Sequence, residues 1–227
     1  MTTIYLIRHG QASFGAESYD QLSPNGELQA KLLGRYFERI LKEAPYVVAG
    51  SMQRHQQTAQ LALAECFPEV EIQTDSAWNE FNHQQVFAQY EPRFNQPELM
   101  KQDVAKEVNP RAYLAKIFEG AIERWTGGEY HHEYEESWPH FKQRVEDALQ
   151  NLCTDLAQKQ PRYAVVFTSG GVISVAAGKI LGLTPNKTFA LNWAITTLRL
   201  VGSEPQLLSL NEHHFIKAEN SNLLTWI

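Results

Sequence analysis

Three consecutive residues near the start of the chain, Arg8-His9-Gly10, have the chemistry of a phosphate site. Arginine offers a two-pronged donor for phosphate oxygens, and a neutral histidine can attack phosphorus. Gly10 would let the backbone approach a ligand closely. On its own the tripeptide is weak evidence, because Arg8 in a surface ion pair and His9 in a polar turn would explain it as well. The elements around it decide its meaning.

The segment before Arg8 predicts a buried strand, since residues 4–7 form a short apolar run with β-branched members. Further strands are predicted over 46–49, 71–74, 163–167, 196–201 and 206–210, and helices from Ser23-Pro24 onward, over 54–65 and over 172–181. This alternation predicts an α/β fold, a three-layer α/β/α sandwich around a mostly parallel sheet. Parallel strands present their carboxyl ends to ligands, and Arg8 and His9 would stand at such an end.

The stretch over about 81–137 interrupts this alternation. It contains helical patterns near 97–106 and 111–125, separated by Asn109-Pro110, and then a polar run that ends in Glu135-Glu136. Because it is longer than an ordinary connection, we expect a helical insertion that acts as a lid. The chain length of 227 residues suits a single domain, 1–227, that includes this lid.

The bulk properties exclude some partners. A net charge of −6 argues against nucleic-acid and anionic-membrane binding, which draw on basic surface. The apolar run before Arg8 is too short for a signal peptide, and no later run approaches the roughly 18 residues of a membrane span, so we expect a cytoplasmic protein. Cys66 and Cys153 lack metal-binding spacing, and we interpret them as small buried thiols in a reducing compartment.

Motifs in a fixed order extend the pattern around His9 over nearly the whole chain. They are Arg8-His9-Gly10-Gln11, Leu22-Ser23-Pro24-x-Gly26-x-x-Gln29-Ala30-x-x-Leu33-Gly34, Ser51-x-x-Arg54-x-x-x-Thr58-Ala59, Asn79-Glu80, Glu136-Ser137-x-x-x-Phe141-x-x-Arg144-Val145 and Gly170-Gly171-Val172-Ile173. Their residue types and spacing closely resemble the histidine phosphatase superfamily, also called phosphoglycerate-mutase-like. Matches in the right order run from Ile4 to about Val201, which makes the resemblance highly specific.

The resemblance implies roles for four of these residues. Arg8 and Arg54 would bind the phosphoryl group and neutralise charge on its oxygens, and they would also hold His9 in its neutral form. His9 would attack phosphorus and form a phosphohistidine. Glu80 would donate a proton to the leaving oxygen, a role that needs a carboxyl kept partly protonated by an apolar neighbourhood. A surface glutamate is the alternative, because the residues after Glu80 fit the family pattern less clearly.

Position 169 departs from the family pattern. In the family the strand equivalent to 163–167 is normally followed by a second histidine, which hydrogen-bonds the transferring phosphoryl group; here Ser169 stands before Gly170. A serine hydroxyl can still donate one hydrogen bond, and the Gly170 amide at a helix start would support an anion. Losing one such donor commonly costs about 10²–10³ in rate. Replacing Ser169 by histidine should therefore raise activity if the pocket is otherwise complete.

Other histidines could compensate for the missing imidazole. The candidates are His83, His213 and His214, and an ordinary surface histidine is the alternative for each. The histidine-rich segments 131–133 and 212–214 lack a well-spaced third metal ligand, so we predict no metal site there.

The sequence therefore predicts a phosphomonoesterase that acts through a phosphohistidine at His9, without a metal or an organic cofactor. Its partner would be a small phosphorylated substrate or a phosphoprotein. The alternative is a phospho-ligand-binding or regulatory protein that has lost turnover, for which Ser169 is the main support. A phosphoglycerate-type mutase is less favoured, because nothing identifies basic contacts for a second phosphate. Neither the substrate nor the oligomeric state has a recognisable motif.

Overall fold

A single sheet organises the molecule in the computed structural model, which describes residues 1–13, 20–183 and 194–224, apart from the side chains of Pro97 and Arg111. The strands of the sheet are β1 (Thr2–Arg8), β2 (Tyr46–Ala49), β3 (Ile72–Thr74), β4 (Tyr163–Thr168), β5 (Ile195–Val201) and β6 (Glu204–Glu212). Their spatial order is β3-β2-β4-β1-β5-β6. The first four strands are mutually parallel, whereas β5 pairs antiparallel with β1, and β6 pairs antiparallel with β5 at the edge of the sheet.

Helices cover both faces of this sheet. They are α1 (Pro24–Ile40), α2 (Gln53–Ala64), α3 (His83–Tyr90), α4 (Pro97–Lys106), α5 (Pro110–Thr126), α6 (Trp138–Lys159), α7 (Gly170–Leu181) and α8 (His214–Glu219). On one face Phe37 of α1 and Leu63 of α2 pack against Phe167 of β4. On the other face Phe141 of α6 and Ile173 of α7 share a core with the alternate strand residues. The predicted three-layer α/β/α sandwich around a mostly parallel sheet is confirmed.

Local signals in the sequence place most element boundaries correctly. The Ser23 hydroxyl caps α1 by accepting a hydrogen bond from the Gly26 amide at 3.1 Å, and Pro24 takes the first helical position. Strand β2 and helix α4 match their predicted bounds, and the other predicted strands and helices lie within two residues of theirs. The 22-residue helix α6 and the short helices α3 and α8 received no bounds from the sequence.

The segment over 81–137 consists mainly of helices. It contains α3, α4 and α5, and α3 packs on α5 through Phe87 and Phe118, whose ring centroids lie 5.8 Å apart. Phe81 at the start of this segment and Trp125 near the end of α5 have ring centroids 4.5 Å apart, and both rings contact Phe141 of α6. Because the segment follows β3, it begins at the carboxyl edge of the sheet. That it opens and closes as a lid stays a prediction.

The cysteines are the next feature to consider, followed by possible metal ligands and membrane spans. Cys153 is buried and Cys66 half-buried, both are free thiols, and burial raises the pKa of each to about 11. Across the described ranges no cluster of three possible metal ligands occurs. None of the helices in those ranges combines the length and apolar character that crossing a bilayer requires.

Candidate active site

The candidate site lies at the carboxyl edge of the sheet, where all four parallel strands contribute to it. β1 leads into Arg8 and His9, β2 into Arg54 of α2, β3 into Glu80, and β4 into Ser169 and Gly170. The His9 amide donates to the Thr168 carbonyl at 2.9 Å, so β1 and β4 present their ends side by side. The predicted site residues are thus brought to one edge by the sheet topology.

His9 is held in the tautomer that suits a nucleophile. Arg54 Nε donates to His9 Nε2 at 3.1 Å, and His9 Nδ1 lies 2.7 Å from the Gly10 carbonyl oxygen. Because a guanidinium only donates, Nε2 must carry the lone pair, and the proton sits on Nδ1. Burial, helped by the charges of Arg54 and Arg8, lowers the pKa of His9 well below its usual value. The ring is therefore neutral, with its lone pair at Nε2.

Arg54 is fixed from two sides at the start of α2. Its side chain is 5% exposed, and its Nη1 lies 2.5 Å from Asp20 Oδ1, while Asp20 Oδ2 accepts the Gln53 amide at 2.8 Å. The Thr58 hydroxyl donates to the Arg54 carbonyl at 2.7 Å and accepts the Gly10 amide at 3.1 Å, which joins α2 to the loop after β1. Sequence analysis did not select Asp20.

Arg8 lies over the start of α7. An ideal Cβ built on Gly170 would come within 3.7 Å of Arg8 Nε, so the arginine side chain and the helix start face the same space. A helix N-terminus and a guanidinium both favour an anion between them. Arg8, Arg54 and Gly170 thus lie at the same edge of the sheet, and phosphate binding by them stays a prediction.

Glu80 reaches into the site from the segment after β3. Its Oε2 accepts the Gly171 amide at 2.9 Å, and a Cβ at residue 171 would overlap Oε1, so this approach requires glycine. Burial raises the pKa of Glu80, and the Gly171 hydrogen bond and the charges of Arg54 and Arg8 oppose that rise without cancelling it. The carboxyl is therefore enclosed at the start of α7 and does not lie on the open surface, and burial favours its protonated form.

Arg144 of α6 positions the backbone that carries Glu80. Its Nε and Nη2 pair with the Glu136 carboxylate at 2.7 and 2.8 Å. Its Nη1 donates to the carbonyls of Ala77 and Asn79 at 2.8 and 3.0 Å. The Glu136–Arg144 motif thus acts at a distance, by fixing the turn that precedes Glu80.

Ser169 is fully buried and contacts a histidine that sequence analysis did not select. His55 follows Arg54 on α2, is also fully buried, and places Nε2 2.6 Å from Ser169 Oγ. The rings of His55 and His9 have centroids 5.6 Å apart. Burial, with a contribution from Arg54, lowers the pKa of His55 to about 3. Its position inside the Ser51-x-x-Arg54-x-x-x-Thr58-Ala59 motif was the signal that could have drawn attention to it.

The three histidines considered as substitutes lie in different places. His83 starts α3, and burial together with the charge of Arg54 lowers its pKa to about 4. His213 and His214 stack on each other beyond the end of β6, with ring centroids 5.2 Å apart. His213 Nδ1 lies 2.8 Å from the Asn211 carbonyl oxygen. Compensation by any of the three stays a prediction.

Comparison with known proteins identifies the class that this fold and site define. The chain matches the family model of the histidine phosphatase superfamily (branch 1) over residues 4–213. The chain therefore belongs to the histidine phosphatase superfamily. No curated protein matches it significantly.

Solved structures with the same fold are distant in sequence. A putative α-ribazole-5′-P phosphatase from Escherichia coli shares 19% identity, with 93% of this chain and 96% of that chain covered and a TM-score of 0.61. A phosphoglycerate mutase from Bacillus anthracis shares 15% identity over 95% of each chain, with a TM-score of 0.66. A phosphoserine phosphatase mutant from Entamoeba histolytica, in complex with phosphoserine, shares 17% identity over 95% of this chain and 100% of that one, with a TM-score of 0.63. At such identities the similarity establishes the fold.

Proposed function

We propose that this protein is a phosphomonoesterase that acts through a phosphohistidine at Nε2 of His9. The observation that carries the proposal is the tautomer of His9, whose lone pair at Nε2 faces Arg54 while the Gly10 carbonyl holds the proton on Nδ1. Membership of the histidine phosphatase superfamily supports chemistry on phosphate esters. The substrate would be a small phosphorylated molecule or a phosphoprotein.

The first step transfers the phosphoryl group to His9. Arg8 and Arg54 bind the phosphoryl oxygens, and Arg54 exchanges its hydrogen bond with Nε2 for one with the substrate. Nε2 then forms a bond to phosphorus as the ester P–O bond breaks, and Glu80 gives its proton to the leaving oxygen. The arginine charges offset the charge on the phosphoryl oxygens while the bonds change.

The second step returns the enzyme to its starting state. The Glu80 carboxylate takes a proton from a water molecule, whose oxygen attacks the phosphorus of phospho-His9. The P–N bond breaks, inorganic phosphate leaves, and His9 recovers its lone pair at Nε2. Glu80 is again protonated, so the same carboxyl serves as acid and then as base.

A protein that binds a phosphorylated ligand without turnover is the main alternative. Binding requires Arg8 and Arg54 but neither an unprotonated Nε2 on His9 nor a carboxyl of raised pKa at Glu80. The lone pair at Nε2 of His9 and the raised pKa of Glu80 are both found at this edge of the sheet. These two groups support hydrolysis over binding alone.

The phosphoenzyme itself is the decisive test. Wild type is mixed with p-nitrophenyl phosphate, quenched in alkali within milliseconds because phosphohistidine is acid-labile, and analysed by intact mass and peptide mapping. We expect one phosphoryl group on His9, and none in His9→Ala. His140→Ala, which replaces an exposed histidine, is the matched control and should label like wild type. Phosphate binding by wild type with no label on His9 would overturn the proposal in favour of a binding protein.

A further inference from the structure

His55 is a buried histidine beside the nucleophile that the proposed mechanism does not use. It is 0% exposed, and its ring centroid lies 5.6 Å from that of His9. Burying an imidazole costs free energy unless its polar atoms are paired. A leucine or methionine would fill the same volume more cheaply, so the contacts of the ring must explain its presence.

The two ring nitrogens of His55 have different surroundings. Nε2 lies 2.6 Å from Ser169 Oγ, whereas Nδ1 is buried without a hydrogen-bond partner among the described residues. A Cβ at Gly50 would overlap Nδ1, so the space for the ring depends on a glycine after β2. The chain thus makes room for an imidazole that pairs at one nitrogen.

This asymmetry fixes the direction of the hydrogen bond. A buried N–H without an acceptor costs more than an unused lone pair, so the hydrogen of His55 belongs on Nε2. Nε2 then donates to Ser169 Oγ, and the serine hydroxyl keeps its own hydrogen for another acceptor. That hydrogen is not needed by α7, because Ser169 makes no side-chain cap and the Gly171 amide is held by Glu80.

Ser169 follows the last residue of β4 at the point where the phosphoryl group would sit. The neighbouring Thr168 carbonyl accepts the His9 amide at 2.9 Å, and Gly170 faces Arg8. A hydroxyl hydrogen at this place would be available to the oxygens of a group bound to His9.

The geometry points to a positioning role for His55: it orients Ser169 so that the serine hydroxyl donates to the transferring phosphoryl group. The inference rests on the proposed phosphatase function. The family resemblance expects an imidazole at position 169, after β4. In this protein position 169 is a serine, and His55 of α2 supplies the imidazole that contacts it. Ser169 and His55 together replace one residue.

The contact between His55 and Ser169 reverses the expectation that Ser169→His raises activity. With His55 filling the adjacent space, a second imidazole at position 169 has no room, so Ser169→His alone should lose activity. Ser169→His combined with His55→Ala restores the space and should recover activity relative to either single change. The double variant should recover activity because the space at this site holds one imidazole, which can come either from position 55 on α2 or from position 169 after β4.

The test separates hydrogen bonding by His55 from core packing. His55→Gln keeps a donor at the reach of Nε2, whereas His55→Met fills the cavity without one, and Ser169→Ala removes the hydroxyl. Turnover of p-nitrophenyl phosphate is measured together with the affinities for orthovanadate, which mimics the transferring phosphoryl group, and for inorganic phosphate. Melting temperatures confirm that each variant folds.

We expect His55→Met and Ser169→Ala each to lower kcat and vanadate affinity about 10²- to 10³-fold, the usual value of one oxyanion donor, with smaller changes in KM and phosphate affinity. His55→Gln should retain most of both, and the double variant His55→Met/Ser169→Ala should lose no more than either single one. Equal values for His55→Gln and His55→Met, or losses that multiply in the double variant, would show that His55 is a core residue. Vanadate affinity tests the pair even if wild type forms no phosphohistidine, so failure of the proposed function is distinguished from failure of this inference.

Discussion

The pKa values of His9 and Glu80 determine how activity should depend on pH. The pKa of His9 is lowered by burial, so its nucleophilic neutral form persists well into the acid range. The pKa of Glu80 is raised by burial, so its proton-donating form persists above the usual range of a carboxyl and is lost as pH rises through that raised value. In the proposed mechanism, loss of activity at low pH is therefore expected from protonation of His9, and loss at high pH, the alkaline limb of the profile, from ionisation of Glu80.

Glu80→Gln should remove that alkaline limb and make the rate depend strongly on the leaving group. Glutamine does not titrate and gives no proton, so we expect turnover of glycerol phosphate to fall about 10²- to 10⁴-fold. The loss on p-nitrophenyl phosphate should be much smaller, because nitrophenolate leaves without a proton. The ratio of the wild-type rate to the variant rate is taken at each pH. Ionisation of the substrate affects both rates equally and therefore cancels in this ratio.

Glu69→Gln, at an exposed carboxyl, is the control and should leave both profiles unchanged. Equal losses on the two substrates in Glu80→Gln, or an alkaline limb that persists, would exclude Glu80 as the proton donor.

At the level of single residues, sequence motifs selected candidate site residues. They did not select residues whose importance depends on a contact with a distant part of the chain. Arg8, His9, Arg54 and Glu80, which the motifs selected, lie at the carboxyl edge of the sheet, and their roles stay predictions. His55 and Asp20 were not selected, because what distinguishes them is a partner more than thirty residues away: Ser169 for one and Arg54 for the other. Ser169 was recognised as unusual from the sequence, but no spacing in the sequence indicates that it contacts a histidine on another element.

Among the elements, α6 does the most to place the site without contributing a reacting group. Eight of its residues are buried at helical spacing, including Phe141, Val145 and Leu152, so its bounds could have been found from periodicity. Its polar face carries Arg144, and the carbonyls that Arg144 binds belong to a turn near Glu80. That contact depends on chain packing and has no signature in the spacing of the motif.

Arg144→Met should therefore affect stability and chemistry together. The pair with Glu136 is partly exposed, at 25% and 29%, so we expect a loss of about 1–3 kcal/mol in the free energy of unfolding, below the value for a fully buried pair. Displacement of Glu80 should lower turnover of glycerol phosphate more than that of p-nitrophenyl phosphate. Denaturant unfolding and steady-state kinetics measure the two effects.

Lys101→Met is the matched control, since Lys101 forms an exposed ion pair with Glu98 on α4. It should change stability by no more than about 0.5 kcal/mol and leave both rates as they are. If Arg144→Met lost stability but reduced the two rates equally, Arg144 would support the fold without positioning Glu80.

For the whole molecule, a net negative chain surrounds a locally positive site. The net charge is −6, yet Arg8, Arg54 and the start of α7 converge at one edge of the sheet. These groups come from β1, α2 and the β4–α7 junction, which are distant in sequence and meet only when the chain is folded. An anion bound there contacts several elements at once and does so in the folded state alone.

Inorganic phosphate should therefore stabilise the whole fold. A ligand at 100 times its Kd adds about 2.7 kcal/mol to the free energy of unfolding, which corresponds to a rise of about 5–10 °C in Tm for a chain of this size. Arg54→Met should lose most of that rise. Arg162→Met, at an exposed arginine next to the opposite end of β4, should keep it, because removing charge there leaves the edge with Arg8 and Gly170 intact. Differential scanning calorimetry against phosphate concentration measures the shift, and an equal loss in the two variants would mean that phosphate acts through the overall charge of the protein and not through this site.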